Sequence, residues 1–387
     1  MNQKHITTGA YYLAFILLGL TISAEGPTLL KLAEHTSSTL DRISAIFFAG
    51  SLGYLLGSLI SGHIYDRVPG HRFMTGVLIL LGIVIALVPV ATSLITLLVI
   101  VLILGLAKGA LDVGCNTLLL WIHNEKVDPF MNGLHACFGI GALTAPLIVA
   151  GVFSTTGDIH WVYWSFAIMA LPVAIFIGSL PSPQMRATPD EHKDAPIPVI
   201  PVMIMLTCFI LYVGMEAGFG NWIYTYAFKR NLATEITANW LTSAFWGFFT
   251  LGRLFAIWVS TRLKPLTILQ LDFAGCLLSL GLILGFQHSA TMLWIGSISL
   301  GVSLASIFPT FITLTEERIH ITGTITGWFL VGGGFGGMIL PWAIGQAFVR
   351  LGAGSMIDIV FATSILNIIA LAIFVNVSDR FKQQALK

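Results

Sequence analysis

A run of about twenty apolar residues occurs twelve times in this sequence, and that repetition limits the fold more than any other feature. A bilayer core of about 30 Å is crossed by about 20 residues of α-helix. Runs of that length fall at 8–30, 43–63, 73–91, 94–122, 132–153 and 162–180. Six more follow at 201–228, 238–260, 266–286, 291–314, 323–349 and 356–377. Numbered in chain order, these are spans one to twelve. A lipid-facing backbone has to satisfy its own hydrogen bonds, which selects helices over open strands. Only 10% of the residues are charged, against roughly 25% in a soluble domain. The expected class is an all-α membrane protein of twelve transmembrane helices.

One polar stretch, from Pro181 to Pro196, interrupts the apolar runs near the middle of the chain. Its prolines and charges suit a solvated linker. The predicted organisation is a six-helix bundle over 1–180, a cytoplasmic linker over 181–199 and a second six-helix bundle over 200–387. Lysine and arginine placement gives the orientation. With the N-terminus inside, twelve basic residues fall on cytoplasmic segments and five, Lys31, Arg42, Lys229, Arg230 and Arg350, on outer ones. That bias puts both termini in the cytoplasm of an inner (plasma) membrane protein. All four cysteines lie in apolar runs, so no disulfide framework is implied. A net charge of +1 provides no field for nucleic acid.

The halves repeat each other. Ser44-Ala45, Leu52-Gly53, Leu55 and Ser61 recur 199 residues later as Ser243-Ala244, Leu251-Gly252, Leu254 and Ser260. In span five, Gly139-x-Gly141-x4-Pro146 returns in span eleven as Gly334-x-Gly336-x4-Pro341. Small residues there allow helices to approach closely, and the prolines bend them. Two parallel six-helix repeats resemble the major facilitator transporters, whose solute site lies at the midplane between halves. The loop Gly62-x3-Asp66-Arg67-x-Pro69-Gly70-His71-Arg72 resembles that family's cytoplasmic signature. The resemblance makes Asp66, Arg67 and Arg72 candidates for gating. Pro69 is an insertion, and His71 stands where a basic residue is usual.

Ionisable groups inside spans cost on the order of 2.5–3.5 kcal/mol each on insertion scales, so each needs a reason. The candidates are Glu25, Lys108, Asp112, Glu216, Arg253 and Asp272. Asp272 lies within two turns of a span end, where interfacial solvation is sufficient explanation. Asp112 lies among Gly105, Gly109, Ala110, Gly114 and Asn116, a stretch too small and polar for lipid contact alone. Lys108, one helical turn earlier, shares its face. The two form either a neutralising pair or a proton site tuned by the lysine. Glu25 precedes Gly26-Pro27, which predicts a break in span one. Glu216 is embedded among Gly214, Gly218 and Gly220 in span seven, followed by Asn221, Trp222 and Tyr224. Arg253 aligns with Tyr54 of the first half and is read as packing or gating. Trp246 and Trp328, with Trp222 and Tyr224, are aromatic candidates for stacking on a sugar.

Gly109-x2-Asp112-x3-Asn116, Tyr212-x-Gly214-x-Glu216-x3-Gly220-x-Trp222 and Asn132-x2-His135 leading to Gly139 resemble one branch of that superfamily. It comprises the fucose–galactose–proton symporters and the sodium-dependent glucose transporter-like proteins. The resemblance implies Asp112 as coupling acid, with Glu25 near the branch's span-one acid, and Asn116 as a hydroxyl contact. Lys108 departs from the motif: a cation there either tunes the acid or admits an anionic substrate. The expected activity is proton-coupled symport of a monosaccharide or similar polar solute by alternating access, carried out by a monomer without cofactor or metal. Drug–proton antiport and sodium-coupled sugar symport are the alternatives. No nucleophile–base pair, metal-ligand cluster or phosphate loop stands in the spans, so an enzyme is not expected.

Overall fold

The computed structural model describes residues 3–184, 198–319 and 322–385. Most of the predicted linker, residues 185–197 with Arg186 and Lys193, lies outside them. Among the described residues, twelve helices are long and apolar enough to cross a membrane. The first six are Gln3–Ser23, Leu40–Tyr65, Gly70–Val90, Leu94–His123, Asp128–Thr156 and Ile159–Ser179. The remainder are Val199–Lys229, Glu235–Ser260, Pro265–Gly285, Ala290–Arg318, Thr324–Leu351 and Ser355–Phe381. Each matches one expected run, and all the described regular elements are helical. The chain forms two compact units, Met1–Ala187 with Ile223–Gly247, and Thr188–Trp222 with Phe248–Lys387.

Span two is interrupted at Ser44, between Leu40–Ile43 and Ala45–Tyr65, and two other spans are broken just ahead of a proline. Span one stops at Ser23 and resumes at Glu25, one residue earlier than Gly26-Pro27 suggests. The ring of Pro27 collides with the carbonyl four residues back, that of Ser23, and offers it no N–H. Span ten was expected as a single helix. It divides into Ala290–Leu304 and Ile307–Arg318, because Pro309 does the same to the carbonyl of Ala305.

Inside the first unit, spans two and four meet backbone to backbone. A Cβ on Gly53 would lie 2.0 Å from the Leu102 carbonyl oxygen, and one on Gly109 2.1 Å from that of Tyr54. The repeated glycines do the same work in both units. A Cβ on Gly141 would meet the Ile16 carbonyl oxygen at 2.1 Å, and one on Gly336 that of Ile210 at 2.0 Å. The motif shared by spans five and eleven is therefore the seam against spans one and seven. Gly109→Ala should destabilise the protein by about 1–3 kcal/mol, the usual cost of overpacking, although alanine is the better helix former. A thermal melt in detergent checks this, and an unchanged midpoint would refute the seam.

Candidate functional site

The seam between spans two and four sets the register of the first polar cluster. Gly109 brings the backbone of Tyr54 against span four, and Asp112 follows three residues later. The Tyr54 hydroxyl donates to one oxygen of the Asp112 carboxylate. The amide of Asn116 donates to the other at 2.9 Å and also to the Asp112 backbone carbonyl at 2.9 Å. Four-residue spacing on one helix face explains that second contact. Asp112, Asn116 and Tyr54 are all half-buried. Tyr54 was not singled out from the sequence. The only signal was its alignment with Arg253, the residue that faces the acid in the other half.

Lys108 does not pair with Asp112. Its ammonium turns to span one, 2.5 Å from the Glu25 carboxylate and 3.1 Å from the Thr21 carbonyl oxygen. Thr21 precedes the break at Ala24 and Glu25 follows it, so one cation holds both sides of the broken helix. Lys108 is buried, while the Glu25 side chain keeps 21% of its surface open. The pairing satisfies a lysine that would otherwise be stranded in the spans.

The second unit holds its own cluster. Glu216 lies one turn after Tyr212 on span seven and is near the charge of Arg253 on span eight. The Arg253 guanidinium lies 4.5 Å from the centre of the Phe249 ring. The Tyr212 hydroxyl donates at 3.1 Å to the carbonyl of Leu304, the last residue before the break in span ten. On the other side of that break, the Ser306 hydroxyl donates to the Asp272 carboxylate at 2.5 Å. Asp272 thus has a specific partner in addition to interfacial solvation.

Other candidates are placed as follows. Trp222 is fully buried; its indole N–H donates to the Pro341 carbonyl at 2.8 Å, and its ring lies against Phe348. Tyr224 and Trp246 are buried as well, Asn221 is half-buried, and Trp328 is 39% exposed. Asp66, Arg67 and Arg72 stand exposed at the end of span two and start of span three. His71 between them is buried. Its Nδ1 donates to the Leu180 carbonyl at 3.0 Å, and its Nε2 lies 2.7 Å from the Tyr11 hydroxyl. The unusual histidine therefore ties the loop to spans one and six. The four cysteines are free, and among the described residues no group of metal-ligating side chains forms.

Twelve apolar spans, with hydrogen-bonded carboxylates inside them, make this a multi-pass membrane protein. The family model of the Major Facilitator Superfamily matches residues 11–341, and the chain belongs to that family. Sodium-dependent glucose transporter 1A of Mus musculus is 27% identical over 372 residues, covering 86% of this chain and 88% of that protein. Sodium-dependent glucose transporter 1 of Homo sapiens is 29% identical, covering 86% and 71%. Among solved structures, the nucleoside transporter NupG superposes with a TM-score of 0.76 at 14% identity, covering 97% of this chain and 99% of that one. A bacterial homolog of the human lysosomal transporter Spinster gives 0.73 at 12%, covering 99% and 98%. Both structures have the fold seen here.

Proposed function

We propose that this transporter is a proton-coupled symporter of a monosaccharide or similar polar solute, working by alternating access with Asp112 as its coupling acid. The observation that carries the reading is the setting of Asp112: a carboxylate inside a span, held by a hydroxyl and an amide instead of a cation. Hydrogen-bond donors reach both of its oxygens, which suits a departing and returning proton. A hard cation asks for a cage of oxygen ligands. The same donors are the groups that a sugar hydroxyl exchanges with, and Asn116 is the nearest contact for one. Glu216 and Asn221 are the polar candidates of the second unit, and Trp328 has the most open ring among the aromatic ones. Trp222, Tyr224 and Trp246 act through packing around them. Asp66, Arg67 and Arg72 belong to the cytoplasmic gate, Arg253 acts with Glu216, and Glu25 with Lys108 stabilises span one. Both termini face the cytoplasm of the inner membrane.

Sodium is the second reading for the ion, favoured by the names of the relatives from mouse and human. Proteoliposomes given labelled glucose, galactose or fucose under an imposed pH gradient, and separately under a sodium gradient, decide between them. Accumulation of one of these sugars with the pH gradient alone is the expected result. Accumulation with sodium alone would move the coupling to sodium. Uptake of none of them, with export of lipophilic cations instead, would replace symport by drug–proton antiport.

A further inference from the structure

The strap from Leu180 to Gln184 leaves span six and enters the linker, and little holds it in place. Pro181 and Pro183 have no N–H to give, and a residue before proline is pushed to extended backbone. Leu180 has φ −92° and ψ 145° accordingly. Pro181, Pro183 and Gln184 border a cavity of about 330 Å³ together with Lys4, Trp121 and Ile122. Among the described residues, every hydrogen bond from the strap to another span involves His71. Its Nδ1 donates to the Leu180 carbonyl at 3.0 Å, and its backbone N–H donates to the Ser182 hydroxyl at 3.1 Å.

The partners fix the charge of that imidazole. A carbonyl only accepts, so Nδ1 carries the ring proton. The Tyr11 hydroxyl, 2.7 Å from Nε2, then donates to the lone pair left there, and a neutral ring satisfies both contacts. A second proton on Nε2 would turn the Tyr11 contact round and leave the tyrosine proton without its acceptor. Tyr11 is fully buried and His71 is 2% exposed, so a stranded donor and an unpaired charge would both be costly here.

No carboxylate stands ready to hold an imidazolium. On span one, Tyr11 is against the ring, Lys4 and His5 are exposed, and Glu25 is bonded to Lys108. On span two, the buried Tyr65 donates at 3.2 Å to the Ala110 carbonyl, while His63, Asp66 and Arg67 are exposed, as is Arg72 beside His71. Span four carries Cys115, Asp112 bonded to Tyr54 and Asn116, and His123 at 2.7 Å from the Thr8 hydroxyl. Span six has its titratable groups, His160 and Tyr163, at its other end, each 2.7 Å from its own partner, Asp158 or Thr28.

We infer that His71 is a pH-sensitive clasp that holds the root of the linker while its imidazole is neutral and releases it when the ring is protonated. Once released, the ring meets water and titrates at its ordinary value of about 6.5. The held strap binds one proton fewer than the released one. Release therefore grows as pH falls below about 6.5, by up to about tenfold per pH unit. With the termini cytoplasmic, as proposed above, the clasp reads the pH of the cytoplasm; only that sidedness rests on the earlier reading.

Hydrogen–deuterium exchange of the peptide covering 66–75, in the full-length protein without substrate, reads the clasp through the His71 amide held by Ser182. In the parent, exchange corrected for its intrinsic rate should rise several-fold from about pH 7.5 to about pH 5.5. A span-four peptide covering 97–107 should not change. His71→Gln, which keeps a donor and an acceptor but takes no proton, should abolish the rise. His63→Gln, an exposed position just ahead of the same loop, should keep it. The clasp is overturned by a flat parent profile, by an equal rise in the span-four peptide, by a rise that survives His71→Gln, or by its loss in His63→Gln. Should His71→Gln fold poorly, the parent and His63→Gln profiles decide. Because no solute or gradient is involved, failure here leaves the symport proposal untouched.

Discussion

Asp112→Asn is expected to bind substrate and exchange it across the bilayer, yet to lose all accumulation driven by a pH gradient. Asparagine copies the shape and neutrality of the protonated acid, and it keeps partners for the Tyr54 hydroxyl and the Asn116 amide that now bond the carboxylate. What it removes is the ability to take a proton on one side and release it on the other, on which coupling depends. One pH unit is worth about 1.4 kcal/mol per proton, enough for about tenfold accumulation at one proton per solute. The variant should stop at about equal concentrations inside and outside, while its exchange of labelled for unlabelled solute continues. Counterflow and gradient-driven uptake on the same proteoliposomes separate these outcomes. Full accumulation in the variant would transfer the coupling role to Glu25.

The second large effect concerns the ion pair across the break in span one. Lys108→Ala leaves the Glu25 carboxylate facing a cavity, and removing one partner of a buried pair costs on the order of 3–5 kcal/mol. Glu25 keeps some open surface, so the lower end of that range is expected. The double variant Lys108→Met with Glu25→Gln should regain most of the loss, since neutral groups of similar volume often replace such a pair at little cost. Melting temperatures of parent, single and double variants form the cycle. An additive double variant would mean that the two residues do not support each other. Accumulation should survive in the double variant, because Asp112 retains its own partners.

Sequence patterns revealed much of what depends on neighbours along a helix. Twelve apolar runs became twelve spans, and Asp112 with Asn116 became a bonded pair because four residues make one turn. The repeated glycines turned out to be the seams in both units. Contacts across the chain were harder to read. Lys108 and Asp112 share a face by spacing, but Glu25, 83 residues away, competes for the same ammonium and wins by reaching it from another helix. Tyr54 and Ser306 carry no charge and stand in apolar or small-residue runs, so apart from Tyr54's alignment with Arg253 nothing marked them as partners of acids. The break in span ten precedes Pro309 as that in span one precedes Pro27, yet Pro146, Pro172 and Pro341 lie inside continuous helices, so a proline alone does not announce a break.

The glycine seams decide which parts of each unit can bend. Glycine is usually associated with pliancy, yet at Gly53, Gly109, Gly141 and Gly336 it brings two main chains into direct contact with no side chain between them. Such a joint has no soft layer to shear, and interiors packed at this density resist compression. Spans two and four, one and five, and seven and eleven therefore behave as welded beams. Compliance is left to the two proline-broken helices, whose ends are fastened by Lys108 in one unit and by Tyr212 and Asp272 in the other. Each unit is thus a stiff frame with one articulated strut, and its ionisable side chains are the pins.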